Sequence, residues 1–293
     1  MMGPLVISTE QTHIMKLIDS HIHFWDPAHL RYKWLDDLDT INKPHLPASL
    51  PRSGEGWEMD KLVFVQADCL PEQGLNEVDW VAELAKDDDR IAGIVAFAPL
   101  ANHNFHAYLT RLTETALVRG VRRLIQGEEQ GFALQEHFVD AVQVLPDYNL
   151  SFDICVLHPQ LADIVALVRQ CPNVSFVLDH LGKPGIKSGE IDIWREDIQA
   201  LATFDNVTCK ISGMVTEADL ENWDVAGLQP YVDVVLEAFG PSRLMYGGDY
   251  PVMKLANTDY VGWVETALAL LVNLSESEKQ QVFHDNAKAF YRL

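Results

Sequence analysis

The chain has 293 residues, 43 of them acidic against 22 basic, for a formal charge of −21, and almost half of it is apolar. That charge, with no Lys/Arg cluster to reverse it locally, excludes phosphate backbones as natural partners, so nucleic acid is not expected. The apolar stretches fall short of a membrane span, and the opening "MMGPLVISTEQTHIM" lacks a basic n-region and a continuous apolar h-region, so a cytoplasmic protein without membrane attachment is expected.

Residues 1–14 carry no periodicity and are set aside as an N-terminal extension; residues 15–293 are expected to form one domain. Eight strand-length apolar runs follow in chain order: "MKLIDSHI", "KLVFVQA", "IAGIVAFA", "GVRRLIQ", "LSFDICVL", "VSFVLDH", "NVTCKISG" and "RLMYGGD". Segments of helical period separate them, among them "LNEVDWVAELAK", "NFHAYLTRLTETALV", "PQLADIVALVRQC" and "LQPYVDVVLEAF". Near-continuous apolar strands alternating with amphipathic helices imply a parallel sheet sheathed in helices. Eight such units without a break in composition predict an α/β fold closed into a single (β/α)8 TIM barrel. An open doubly wound sheet is the alternative, but no G-x-G-x-x-G follows the first strand.

The first connection, residues 24–60, is long and has little helical period, and loops of that length are more often functional than idle. At the other end, "SESEKQQVFHDNAKAFYRL" predicts a terminal helix opened by a capping box between Ser275 and Glu278. The four cysteines form no C-x-x-C pair. They are expected to be buried and reduced, with Cys155 and Cys209 serving as core residues.

In a (β/α) barrel the chemistry sits where the strands end. Strand one ends in His21 and His23, which alternation sends to one side. His158 follows strand five, Asp179 and His180 end strand six, and Asp249 ends strand eight. Imidazoles with one carboxylate are the donors a divalent ion such as Zn²⁺ prefers, and the carboxylate could instead deprotonate a water. His21, His23, His158 and Asp249 are the candidate metal ligands. By alternation Asp179 should face the helices and play a structural role.

The stretches "DSHIHFWDP", "RYKWL", "FVQAD", "GVRRLIQGE", "VLDHLGKP", "CKISGMVTEAD" and "RLMYGGDYPV" resemble the amidohydrolase superfamily, in its sugar-lactonase branch of L-fuconolactonase and L-rhamnonolactonase type. The resemblance implies a (β/α)8 barrel with His21, His23, His180 and Asp249 at the mouth, and it directs Arg122 rather than Arg123 to the lumen. Metal-dependent members carry a histidine after strand five; whether His158 fills that place is left open, as is the need for an ion. The implied reaction is hydrolysis of an aldonolactone to the open-chain sugar acid. Asp249 and His180 would be catalytic, Asp249 taking a proton from water and returning it to the ring oxygen, while His180, His23 or a metal holds the oxyanion. Trp25, Trp34, Gln66 and Arg122 would bind the polyol, with Arg31 beside the tryptophans in the first loop. The alternatives are a metal-dependent amide hydrolase or decarboxylase using the same mouth, and a barrel that only binds a sugar acid. The partner is thus a small sugar lactone, and a homo-oligomer is left open.

Overall fold

The computed structural model describes residues 14–293, so the expected extension lies, apart from Ile14, outside the described residues. Eight parallel strands run in sequence order around a barrel: β1 (Met15–Ile22), β2 (Trp57–Val65), β3 (Ile91–Phe97), β4 (Val118–Arg122), β5 (Ser151–Ile154), β6 (Phe176–Leu178), β7 (Val207–Ile211) and β8 (Leu244–Tyr246). A two-residue strand, Ser53–Gly54, pairs antiparallel with the start of β2. The seam between last and first strands is closed mainly past the end of β8. There Asp249 N donates to His21 O at 2.8 Å and His23 N to Tyr250 O at 2.8 Å. The expected barrel is therefore the observed one.

The apolar runs became strands because both faces of each are buried. One face meets the surrounding helices, including α1 (Gly74–Asp87), α2 (Phe105–Thr113), α3 (Glu136–Gln143), α4 (Leu161–Gln170), α5 (Asp192–Ala202), α6 (Val225–Phe239) and α7 (Tyr260–Leu270). The other fills the lumen with Ile18, Val63, Val65, Val95, Val177 and Met245, wide aliphatic side chains that make the barrel a packed core instead of a pore. Ala287 and Tyr291 of the C-terminal helix join that cluster and plug one end. The capping box at Ser275 and Glu278 forms as expected, but the helical run after it is broken by a π-turn over Gln281–Asp285.

Several expected strands end earlier than their apolar runs. "VSFVLDH" is extended only to Leu178, and "RLMYGGD" only to Tyr246. Asp179, His180 and Asp249 thus sit in the turns just beyond the sheet, where strand alternation no longer decides direction, while His21 and Arg122 are still within β1 and β4. No helix among the described residues is long and apolar enough to cross a membrane.

Candidate active site

His21 lies on β1 and His23 just past it, with ring centroids 4.9 Å apart. His180 comes from the turn after β6 and stands 4.4 Å from His21, centroid to centroid. Asp249, after β8, approaches His23 Nε2 at 3.4 Å and His21 Nε2 at 3.9 Å. All four are buried at one end of the barrel. Glycine makes this close approach feasible: a Cβ on Gly247 would stand 2.7 Å from His21 Cβ, and one on Gly213 would stand 2.3 Å from His180 Nδ1. Asp19 ties the strand ends together. It accepts from the backbone N of His21 (2.9 Å), that of Gly248 (2.8 Å) and the Tyr260 hydroxyl (2.8 Å).

Each imidazole is oriented by its Nδ1. His23 donates from Nδ1 to Val65 O at 2.6 Å, which turns its Nε2 toward Asp249. His21 Nδ1 is 3.1 Å from Asp179, and its Nε2 receives Arg122 Nη1 at 3.3 Å. His180 Nδ1 meets Ser212 Oγ at 2.9 Å. Burial drives the His21 and His180 pKa values well below the usual histidine value, so both are neutral near pH 7. Burial works against the charge of Asp249, but His180, His23 and Lys183 outweigh it and hold its carboxyl below the ordinary range.

A cavity of about 200 Å³ opens over this cluster, lined by His23, His180 and Asp249 together with Trp34, Arg122 and Lys183, among others. Trp34 sits on the long first connection and is fixed by a 2.8 Å bond from Nε1 to Ala67 O. Four expectations need correction. Trp25 does not line the cavity; it is fully buried beneath the loop, donates to Ile41 O and packs on Trp34, so it anchors the loop. Gln66 is also buried away from the wall, its Oε1 accepting from Asp68 N and its backbone oxygen from Arg122 Nη2 at 2.6 Å. His158 lies outside the cluster: the proline after it starts a 3-10 turn, and its Nδ1 donates to Lys183 O at 3.1 Å while its Nε2 faces Glu190. Asp179 does not face the helices. It points inward to His21, Arg122 and Lys210, because it opens a turn and does not continue β6. Arg31 pairs with Asp36 at the solvent-exposed side of the loop.

Three further residues escaped sequence reasoning. Cys155 lines the cavity and is more than a core residue. Lys183 lines it as well, and Lys210 of β7 lies beneath it, fully buried between Asp153 (2.6 Å) and Asp179 (3.0 Å). A lysine inside the apolar run "NVTCKISG" was the available signal, since a buried lysine demands a partner.

The residues fit a divalent ion. Donor atoms of His21, His180 and Asp249 lie within 4.8 Å of one another, and each imidazole's Nδ1 is already engaged, the arrangement that aims the opposite nitrogen at a metal. Arg122 competes for one of those lone pairs, at His21 Nε2.

The sequence profile of the amidohydrolase family matches residues 18–293. The chain belongs to that family. An L-fucono-1,5-lactonase of Burkholderia ambifaria is 31% identical over 285 residues, covering 94% of this chain and 95% of its own length. An L-rhamnono-gamma-lactonase of Scheffersomyces stipitis is 21% identical over 95% of this chain and 99% of its own length. Among solved structures, an amidohydrolase from Burkholderia multivorans with bound zinc superposes with a TM-score of 0.85 at 30% identity, over 94% of this chain and 99% of that one. The cluster at the strand ends is therefore the mouth of an amidohydrolase barrel, and the protein is a hydrolase.

Proposed function

We propose that this amidohydrolase opens a sugar-derived lactone, an aldonolactone of the L-fucono-1,5-lactone kind, to the corresponding sugar acid. The observation that carries the reading is Asp249. It is a carboxylate kept ionised in a small cavity, with the imidazoles of His23 and His180 against it. The cavity is small beside the roughly 300–1,000 Å³ typical of drug-sized ligands. Asp68, Gln126, Arg122 and Thr216 on its wall offer the donors and acceptors that a ring of hydroxyls requires. Retention of an ionised base beside the imidazoles argues against a barrel that only binds.

Asp249 takes a proton from water as the water oxygen bonds to the lactone carbon, and returns it to the ring oxygen as that C–O bond breaks. His180 steadies the carbonyl oxygen from Nε2 when the Ser212 hydroxyl donates to its Nδ1. Arg122 holds His21 and Asp179 in register and contributes positive charge at the wall, and Trp34 closes one side against water. A divalent ion, zinc before others for these donors, would be held by His21, His23, His180 and Asp249 and would polarise the carbonyl. Lactones are activated esters, so we propose that such an ion assists without being required.

A proton-release screen over aldonolactones, with and without chelator, tests the reading. Activity on at least one is expected, with Asp249→Asn lowering kcat by about 10²–10⁴-fold while the fold persists. Chelation is expected to cost less than the mutation. Equal, near-complete losses would move the site to obligate metal chemistry, in which Asp249 is a ligand, and toward amide hydrolysis or decarboxylation.

A further inference from the structure

The chain from His180 to Lys183 has positive φ at every residue: 55° at His180, 55° at Leu181, 71° at Gly182 and 49° at Lys183. This is one turn of left-handed helix, a conformation costing roughly 1–2 kcal/mol for each residue that has a Cβ. Such strain persists only where the surroundings over-determine it, and it gathers at working sites. Here the surroundings are explicit. Lys183 N donates to His180 O at 2.8 Å, Trp194 Nε1 to Leu181 O at 2.7 Å, and His158 Nδ1 to Lys183 O at 3.1 Å. In so tight a turn residues three apart lie on one side. His180 and Lys183 accordingly both line the cavity that holds Asp249.

The cavity needs a positive donor, and the histidines are poorly placed to be one. His23 gives its Nδ1 proton to Val65 O and turns its Nε2 to Asp249 at 3.4 Å, so that carboxylate already claims it. The lone pair of His21 Nε2 is taken by Arg122, whose Nη1 also serves Asp179 and whose Nη2 serves Gln66 O. Lys183 is different. Its ammonium makes no hydrogen bond within 3.5 Å among the described residues, and its ion-pair partner, Glu217, stands 3.6 Å away, close enough to aim it and too far to occupy its protons.

We infer that Lys183 is a catalytic residue of the lactonase reaction, the fixed cation that stabilises the negative charge developing on the carbonyl oxygen while Asp249 handles the proton. When water adds, the π pair of the C=O bond moves onto that oxygen; when the ring opens, the pair returns and the new carboxylate remains beside the same ammonium. The turn that strains His180 and Lys183 thus places a neutral donor and a full charge on one oxygen. The assignment rests on the lactonase reading above.

The test compares wild type, Lys183→Met and Lys183→Arg on L-fucono-1,5-lactone, and measures by calorimetry the binding of L-fuconate and of the uncharged L-fucitol. Lys183→Met is expected to lose about 10²–10³-fold in kcat with a much smaller change in KM, the scale set by removing one oxyanion donor. Lys183→Arg should recover part of that loss, and Lys183→Met should weaken fuconate binding while leaving fucitol binding alone, a split that a merely structural lysine would not produce. Should Lys183→Met not fold, the Lys183→Met/Glu217→Gln pair removes the stranded carboxylate and replaces it in the same comparison. An active wild type whose methionine variant keeps its kcat and its fuconate affinity overturns the role of Lys183 alone. A wild type inactive on the whole aldonolactone panel overturns the lactonase reading and this assignment with it.

Discussion

At the residue scale, the protonation of each buried group follows from what its atoms touch, and Glu77 shows this away from the chemistry. It lies on α1, fully buried, with Oε1 accepting from Ala67 N at 3.1 Å and Oε2 without a partner among the described residues. Burial pushes its carboxyl up to about 8 from an ordinary 4.5. In the folded protein it is therefore neutral at pH 6 to 7, whereas the unfolded chain ionises it. Between those two values the folded state binds more protons than the unfolded one, so this contribution to stability is complete below about pH 4.5 and is lost as pH rises through 8. Glu77→Gln places a permanently neutral amide of the same shape there. In urea unfolding at pH 5, 6.5, 8 and 9, the variant is expected to gain on wild type by roughly 1.4 kcal/mol per pH unit across the window and to level off above it. A gap that does not change with pH would mean that Glu77 is ionised in the fold.

At the scale of elements, the barrel was legible because parallel strands buried on both faces must be apolar throughout, and that pattern survives in one sequence. The ends of the strands were not, since period-two alternation holds only while the chain stays extended. For that reason His21 was read correctly from within β1, while Asp179, one residue past β6, was sent to the wrong side. The glycines beside these turns were the overlooked evidence: Gly182 and Gly213 both have positive φ, at 71° and 58°, and each follows a strand whose end carries the site. The long first connection divides in the same way, its tryptophans promising a wall that only Trp34 provides, because an indole wholly enclosed by loop side chains looks the same in sequence as one facing a cavity. Gly213→Ala tests the turn after β7. Its Cβ would need the space of His180 Nδ1, 2.3 Å away, in a backbone conformation that alanine resists. Displacing His180 by about 1 Å is expected to lower kcat by about 10²-fold, and the variant should still show a cooperative thermal transition. Unchanged kcat would remove His180 from the reaction. Trp34→Ala should act differently, raising KM with little change in kcat, since it removes contact area and leaves every proton-handling group in place.

At the scale of the whole molecule, one buried chain of charges links the plugged end of the barrel to its mouth. The Tyr291 hydroxyl, from the last helix, donates to Asp153 at 2.7 Å, and Asp153 pairs with Lys210 at 2.6 Å. Lys210 pairs with Asp179 at 3.0 Å, and Asp179 holds both His21 Nδ1 and Arg122 Nη1. Lys210 is wholly buried, and although burial alone would strip its proton, Asp153 and Asp179 raise its pKa above the ordinary lysine value. Two cations and two carboxylates thus nearly cancel inside the barrel, which lets Asp179 stay ionised and fix the His21 tautomer from below. Removing the lysine breaks that balance where water cannot repair it. Lys210→Met should cost about 3–5 kcal/mol in chemical denaturation, because it leaves two facing carboxylates buried without their cation. Adding Asp153→Asn removes one of the stranded charges and should return part of the loss, so the two changes together should cost less than the sum of each alone. Strict additivity in that cycle would show that Asp153 and Lys210 do not support each other, and the charge chain beneath the active site would then lose its role in holding the mouth together.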